Sequence, residues 1–240
     1  MTGAGRGIGR AIALALAHEG ANVTVSDVNL TSAQAVAREI AAFGGQSFAI
    51  GTDVSSEKQV ARLVEATLEQ FAKIDILVNN AGIISTGPLL ETSVEVWERT
   101  HAVNLKGVFL CTKAVLPALI AQRSGRIINI ASVAGKRGGG VFGNTCYASS
   151  KGGVIAFTKG AAREAGPYNV TVNAIAPAMI ETTMISAMSP EARESLLQFI
   201  PLGRTGSVDH VAAAVCFLAS DGAGFITGEI MDVDGGLMMD

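Results

Sequence analysis

Tyr147 and Lys151 stand four residues apart in the stretch Tyr-Ala-Ser-Ser-Lys. On a helix that spacing puts a phenol and an ammonium on one face, a single turn apart. A free tyrosine titrates near pH ~10 and is a poor acid or base at neutrality. A fixed positive charge beside it favours the phenolate and brings the group towards useful proton transfer. The same spacing also arises on ordinary helix surfaces, so its weight depends on its setting. Two further signals supply that setting: Ser132, directly after the apolar run 125–131, and a glycine-rich turn at 2–9.

Gly3, Gly7 and Gly9 open into residues 10–19, which are small and apolar at helical spacing. Glycines there let the backbone pass close to a pyrophosphate, and the helix N-terminus offers its amide N–H groups. The run 22–26 reads as a short buried strand ending in Asp27. A carboxylate at that place accepts hydrogen bonds from ribose hydroxyls and repels a 2′-phosphate, which favours NAD(H) over NADP(H). Arg6 is the counter-signal, because a cation in the turn could hold that phosphate. Asp27, at the strand end, occupies the more direct position and weighs more.

These residues resemble the short-chain dehydrogenase/reductase family, over nearly the whole chain from Thr2 to Gly236. The resemblance implies a dinucleotide turn at Gly3, Arg6, Gly7, Ile8 and Gly9, with Asp53 and Val54 beside the adenine. Asp53 reads equally well as a turn residue ahead of the helix after Ser56. The family pattern further implies that Asn79-Asn80-Ala81-Gly82 shapes the cofactor cleft and that Pro177, Ile180 and Thr182 meet the nicotinamide end. For the chemistry it implies a tetrad: Ser132 on the carbonyl oxygen, Tyr147 as proton donor, Lys151 on the nicotinamide ribose, and Asn104 holding a water for Lys151. Thr183 and Met184 share the nicotinamide segment, followed by a mobile helical flap over 186–200. No metal is needed, and His18, His101 and His210 lack ligand-like spacing.

Two departures stand out. Ala178 replaces the family's glycine after Pro177 and asks for φ below zero or some strain. The interval from Ser132 to Tyr147 is 15 residues, longer than is usual, with the excess expected in the loop 136–140. Within the family the pattern is most similar to 3-oxoacyl-[acyl-carrier-protein] reductases. That implies a ketone or secondary alcohol substrate, possibly bound to an acidic carrier that docks through basic residues near the site. Arg123 matches one such position, and Tyr168 stands at the other. A polyol, sugar or hydroxy-acid dehydrogenase is the alternative enzyme, and a cofactor-binding subunit without turnover is the alternative of another class.

Strand-like runs at 46–51, 74–78, 125–131, 169–174 and 229–233 alternate with helical stretches at 32–43, 57–72, 94–121, 147–165 and 208–220. Apolar strands separated by helices imply a Rossmann-like α/β fold, a doubly wound parallel sheet covered on both faces. With 240 residues and nothing resembling a linker, the chain reads as one domain, 1–240. A net charge of −3 gives no reason to expect nucleic acid. Apolar runs such as 211–219 fall short of the ~20 residues that span a bilayer, and no secretory leader is evident. Three scattered cysteines suit a reducing compartment, so cytoplasm is expected. The helices at 94–121 and 147–165 carry more apolar positions than one sheet face covers, and family members assemble through them; a homotetramer follows.

One element is missing. A hydrophobic strand feeds the glycine turn of a dinucleotide-binding unit, and here Met1 stands where that strand should end. The order of such sheets places it centrally, between the runs at 22–26 and 74–78. The expectation is that the functional start lies upstream by about six to ten residues, as otherwise the sheet must shift, admit water or borrow a strand.

Overall fold

The computed structural model describes residues 1–139, 143–182 and 190–239. The described residues form six strands: β1 (Val23–Asp27), β2 (Ser47–Gly51), β3 (Ile76–Asn79), β4 (Gly125–Ile130), β5 (Val170–Pro177) and β6 (Ile230–Val233). β1 pairs with β2, while β3, β4, β5 and β6 form a second ladder in that order, every pair parallel. Helices α1 (Gly7–His18), α2 (Leu30–Ala42) and α3 (Glu57–Phe71) follow the turn, β1 and β2. Then come α4 (Val94–His101), α5 (Gly107–Gln122), α6 (Val133–Arg137), α7 (Thr145–Ala165), α8 (Pro190–Leu197) and α9 (Val208–Ala219).

Covering helices explain why the strands are apolar throughout. On one face Ile12 and Leu16 of α1, Val36 and Ile40 of α2, and Val211, Val215 and Leu218 of α9 pack with Val25, Val78 and Ile128. On the other, Val60 and Leu63 of α3 and Leu110, Val115 and Leu119 of α5 pack with Leu77, Ile127 and Val172. The helices start where short polar side chains can cap them: Asn29, Ser56, Ser93 and Asn144 each accept a hydrogen bond from an amide of the first turn. α1 differs, for its N-cap Arg6 makes no side-chain capping bond and its first turn carries no acid.

Among the described residues, Met1 and Thr2 occupy the central position of the sheet. Thr2 forms parallel bridges to Ser26 of β1 and Asn79 of β3, and these join the two ladders. Its amide donates to Val78 O at 3.1 Å, while Ser26 N donates to Met1 O at 3.0 Å and Ala4 N to Ser26 O at 2.9 Å. The expected order therefore holds, with β1 and β3 on either side of Met1 and Thr2, and among the described residues no other strand is recruited between them. The Met1 amine donates to Thr24 O at 3.0 Å, and burial draws its pKa down to about 6.

Other boundaries moved for local reasons. β3 begins at Ile76 instead of Ile74, because Ile74 turns into the apolar cluster under α3 and α5. β5 runs on to Pro177, because β6 pairs along it as far as Val233. α6 was not expected at all. The helical region at 94–121 is one continuous run, Val94–Gln122, with a π-helical stretch over Ala102–Lys106 between α4 and α5. Contrary to the reading of short apolar runs, it is long and apolar enough to cross a membrane by length and composition, one 18-residue window in it reaching mean hydropathy 1.5. Half of that window is buried inside the molecule, and the run packs against α3, α7 and the sheet, which accounts for its composition.

Candidate active site

The strands of a parallel sheet end on one side, and the chemistry-bearing residues collect there. A cavity of about 270 Å³ is lined by Ile8, Asn80, Gly82, Ser132, Tyr147, Lys151, Pro177, Ile180 and Thr182, with Ile83, Ile84, Ile130, Ala131 and Ala178 completing it. Nine of the residues singled out from sequence thus share one space.

Ser132 follows β4 and caps α6, its Oγ accepting from Ala134 N at 3.1 Å. The phenol of Tyr147 stands beside the same hydroxyl in the cavity. α7 delivers Tyr147 and Lys151 on one face, as their spacing requires. Burial pushes the Tyr147 phenol up, and the neighbouring Ser132 hydroxyl offsets only part of that. Lys151 is buried, its Nζ donates to Ile130 O at 2.6 Å, and burial draws its pKa down to about 8. The expected depression of Tyr147 by Lys151 is therefore not what the site shows. Desolvation of the phenol outweighs any help from an ammonium that is itself disfavoured by burial.

Asn104 is fully buried in the π-helical stretch. Its Oδ1 accepts from Ile83 N at 2.8 Å, and its Nδ2 donates to Ile83 O at 2.8 Å and Ser150 Oγ at 3.0 Å. Ser150 Oγ in turn donates to Tyr147 O at 2.7 Å. The side-chain amide is thus committed to protein partners, and it clasps the 82–84 segment against α7. Gly82 lies between the two polar groups: a Cβ there would stand 3.3 Å from Asn104 Oδ1 and 3.5 Å from Lys151 Nζ.

The glycine turn is anchored to the strand ends. Asn80 Nδ2 donates to Gly3 O at 2.7 Å and Thr2 O at 3.2 Å, and Ala81 N donates to Thr2 Oγ1 at 3.2 Å. Asp27 accepts from Gly5 N at 2.9 Å and from Asn29 N at 3.0 Å, so its carboxylate sits beside the turn. Gly7, exposed with φ +53°, has among the described residues only Thr182 Cγ2 near the place of a missing Cβ, at 4.0 Å. Open backbone at the uncapped N-terminus of a twelve-residue helix, with a carboxylate at the next strand's end, fits a dinucleotide: α1 for its phosphates and Asp27 for its adenosine ribose. Arg6 is exposed on the same turn.

Other expectations are placed elsewhere. Asp53 is spent on the turn before α3: it accepts from Ser55 N at 3.0 Å and Ser55 Oγ at 2.7 Å, and pairs with Arg99 at 3.3 Å. Burial raises its pKa, but Ser55 and the Arg99 guanidinium outweigh this and hold the carboxyl below its usual range. Val54 turns its side chain into the core, against the start of α5 at Gly107. Arg123 ends α5 with φ 51° and donates to Pro167 O at 3.3 Å. That is the N-terminal end of β4, roughly 20 Å from Ser132 at ~3.3 Å per residue, and not beside the site. Ala178 adopts negative φ, as expected, since it is absent from the positive-φ positions. Gly140, Thr183, Met184 and the first part of the expected flap lie outside the described residues; the rest of that segment forms α8, with Leu196 and Ile200 packed on Met179.

Sequence reasoning missed Asn144 and Gly143. Asn144 caps α7 through Tyr147 N at 3.1 Å, and its side chain also bonds Ser85 Oγ at 2.6 Å and Thr92 Oγ1 at 3.0 Å. Gly143, with φ +85°, lets its backbone lie on the Tyr147 ring, where a Cβ would fall 2.3 Å from Cδ1. An asparagine three residues ahead of Tyr147 was a readable cap signal.

Comparison with known proteins follows the same lines. A family model described as enoyl-(acyl carrier protein) reductase matches residues 3–238. The chain is 47% identical to a 3-oxoacyl-[acyl-carrier-protein] reductase of Synechocystis sp., over all of this chain and 96% of the relative. It is 44% identical to the enzyme of that name from Staphylococcus epidermidis, covering 98% of it, and 41% identical to that of Thermotoga maritima, covering 96%; each alignment spans this whole chain. The chain belongs to the short-chain dehydrogenase/reductase family, and is an oxidoreductase that acts on CH–OH donors with NAD or NADP as acceptor.

Proposed function

We propose that this chain is an NAD(H)-preferring reductase of 3-oxoacyl groups carried on acyl carrier protein. The observation that carries the reading is the convergence of Ser132, Tyr147 and Lys151 in the cavity that the glycine turn borders. The names of the relatives point to the substrate class. Isoleucines at 83, 84 and 180 give the cavity an apolar wall that suits an acyl chain.

Bound nicotinamide supplies the hydride. Ser132 Oγ positions the ketone oxygen by a hydrogen bond, and Tyr147 Oη, its neighbour, gives that oxygen its proton. The upward shift of the phenol keeps the proton in place near neutral pH, which suits the reductive direction. Lys151 supports the site from beneath and meets the nicotinamide ribose. Asn104 is a positioning residue that fixes the cleft wall to α7. Carrier docking falls to residues at the mouth, such as Arg137, exposed on the last turn of the helix that Ser132 caps. A cytoplasmic setting suits three cysteines that are all free thiols. A homotetramer suits the exposed Trp97 and Phe109 on α4 and α5, which border one groove with Phe157, and the fully exposed Phe225 elsewhere.

The test is steady-state oxidation of NADH and NADPH with 3-oxoacyl thioesters, set against sugar, polyol and hydroxy-acid partners. Turnover is expected with the thioesters, with NADH the better donor. Preference for a sugar or hydroxy-acid pair would overturn the substrate reading. Asp27→Ser is expected to raise NADPH use relative to NADH by about tenfold, the equivalent of ~1.4 kcal/mol. An unchanged ratio would move cofactor choice to Arg6.

A further inference from the structure

The chain leaves the wall of the candidate active site at Ile83 and Ile84 and enters the loop 85–92 ahead of α4. The tip of that loop is exposed, Leu89 at 60% and Leu90 at 100%. Its internal bonds are local: Glu91 N and Thr92 Oγ1 each donate to Pro88 O, both at 3.1 Å. A loop that buries so little apolar surface takes its position from its base.

Asn144 makes that base. Its Oδ1 accepts from Ser85 Oγ at 2.6 Å and from Tyr147 N at 3.1 Å. Its Nδ2 donates to Thr86 O at 3.3 Å and to Thr92 Oγ1 at 3.0 Å, and its backbone N donates to Ser85 O at 2.9 Å. A carboxamide has two acceptor sites and two N–H donors, and all four are used here. The partners also fix its orientation, because the Tyr147 amide needs an acceptor and Thr86 O needs a donor. Both ends of the loop therefore meet at one side chain. The same residue reaches the reacting phenol by two routes. It caps α7 at Tyr147 N, and the Tyr147 ring lies on the backbone of Gly143, the residue before it, where φ is +85° and no Cβ intervenes. A shift of 143–144 moves the seat of the ring and the start of α7 together.

We propose that Asn144 is a positioning residue for the reaction, one anchor that sets the proton donor Tyr147 and the loop 85–92 at the substrate mouth in register with each other. The inference rests on the reading of Tyr147 as that donor. Its two halves have separate effects: Oδ1 serves Tyr147 and hence the rate, while Nδ2 serves the loop and hence the fit of the ketone. Caps elsewhere in the chain show how to divide them. Ser56 and Ser93 cap α3 and α4 by accepting from the amide three residues on, Gln59 N at 3.4 Å and Val96 N at 3.3 Å. A serine at 144 can do the same for Tyr147 N, but it lacks the N–H donors that hold Thr86 and Thr92. Among the described residues Asn144 bonds neither to the glycine turn nor to Asp27, so cofactor affinity is independent of it.

The test compares Asn144→Ala and Asn144→Ser with the parent, well below the melting temperature, using a 3-oxoacyl thioester and NADH. In Asn144→Ala, kcat is expected to fall about tenfold and KM for the thioester to rise several-fold, since small misplacements of reacting groups are costly. Asn144→Ser should recover most of the lost kcat while KM for the thioester stays raised, and KM for NADH should hold in both. Amide hydrogen exchange reads the same division without turnover. The Tyr147 amide should exchange faster in the alanine variant and not in the serine variant, and the Glu91 and Thr92 amides faster in both. A purely structural role would lower Tm and leave kcat and KM of the folded protein as in the parent, and that result would overturn the proposal. So would serine and alanine variants that match in both kcat and exchange. Failure of the parent to reduce any 3-oxoacyl thioester would count against the substrate reading alone, and the exchange pattern then decides this one.

Discussion

Tyr147→Phe is expected to bind NADH as the parent does and to lose turnover by a factor of at least ~10². The substitution removes one hydroxyl, the neighbour of Ser132, and leaves the ring that packs on Gly143. The cap of α7 is untouched, because Asn144 meets the backbone of Tyr147 and not its side chain. Lys151 keeps its bond to Ile130 O, so the cavity floor stays in place. Only the proton source for the ketone oxygen is lost. Cofactor fluorescence separates binding from rate: an unchanged dissociation constant with collapsed kcat is the predicted pattern. Turnover within a few-fold of the parent would mean that water or Ser132 delivers the proton.

Gly9→Ala is expected to damage both stability and cofactor affinity. A Cβ at Gly9 would stand 1.9 Å from Gly3 O and 2.6 Å from Asn80 Nδ2, and the carbonyl is backbone that cannot swing aside. Either α1 or the turn must move, and overpacking of this kind costs ~1–3 kcal/mol or more. For a chain of this size that lowers Tm by several degrees, at ~2–4 °C per kcal/mol. The displaced element carries the open amides of α1, so affinity for NADH should fall by about tenfold or more. Gly7→Ala is the control. Its φ of +53° brings backbone strain, but among the described residues the nearest atom to its new Cβ is 4.0 Å away. Similar losses in the two variants would show that strain, not the contact of α1 with the turn, governs the site.

How much of this was readable in the sequence depends on how local the cause was. Tyr147 and Lys151 share a face because helix periodicity dictates it, and Ser132 meets them because strand ends collect on one side of a parallel sheet. Alternation of strand and helix therefore locates the cavity at the carboxyl ends of the strands. The central place of Thr2, between β1 and β3, was equally legible, since the order of the fold puts the lead into the glycine turn there. Asp53 and Val54 were ambiguous because their fates are set by partners far along the chain, Arg99 and Gly107. The commitment of Asn104 to Ile83 and Ser150 likewise joins three segments that no short window contains. Arg123 looked like a docking residue by position in the chain, yet α5 runs back against the strands and leaves it at the opposite end of β4. The lowered pKa of Lys151 comes from burial, which spacing alone does not convey.

Transfer of deuterium tests the central claim most directly. NADH labelled at C4 of the nicotinamide, incubated with the protein and a 3-oxoacyl thioester, should give a 3-hydroxyacyl product with the label on C3, from one face of the cofactor only. Tyr147→Phe should form that product at least ~10²-fold more slowly. Product without label, label from both faces, or no transfer to any 3-oxoacyl thioester while NADH remains tightly bound would contradict the account.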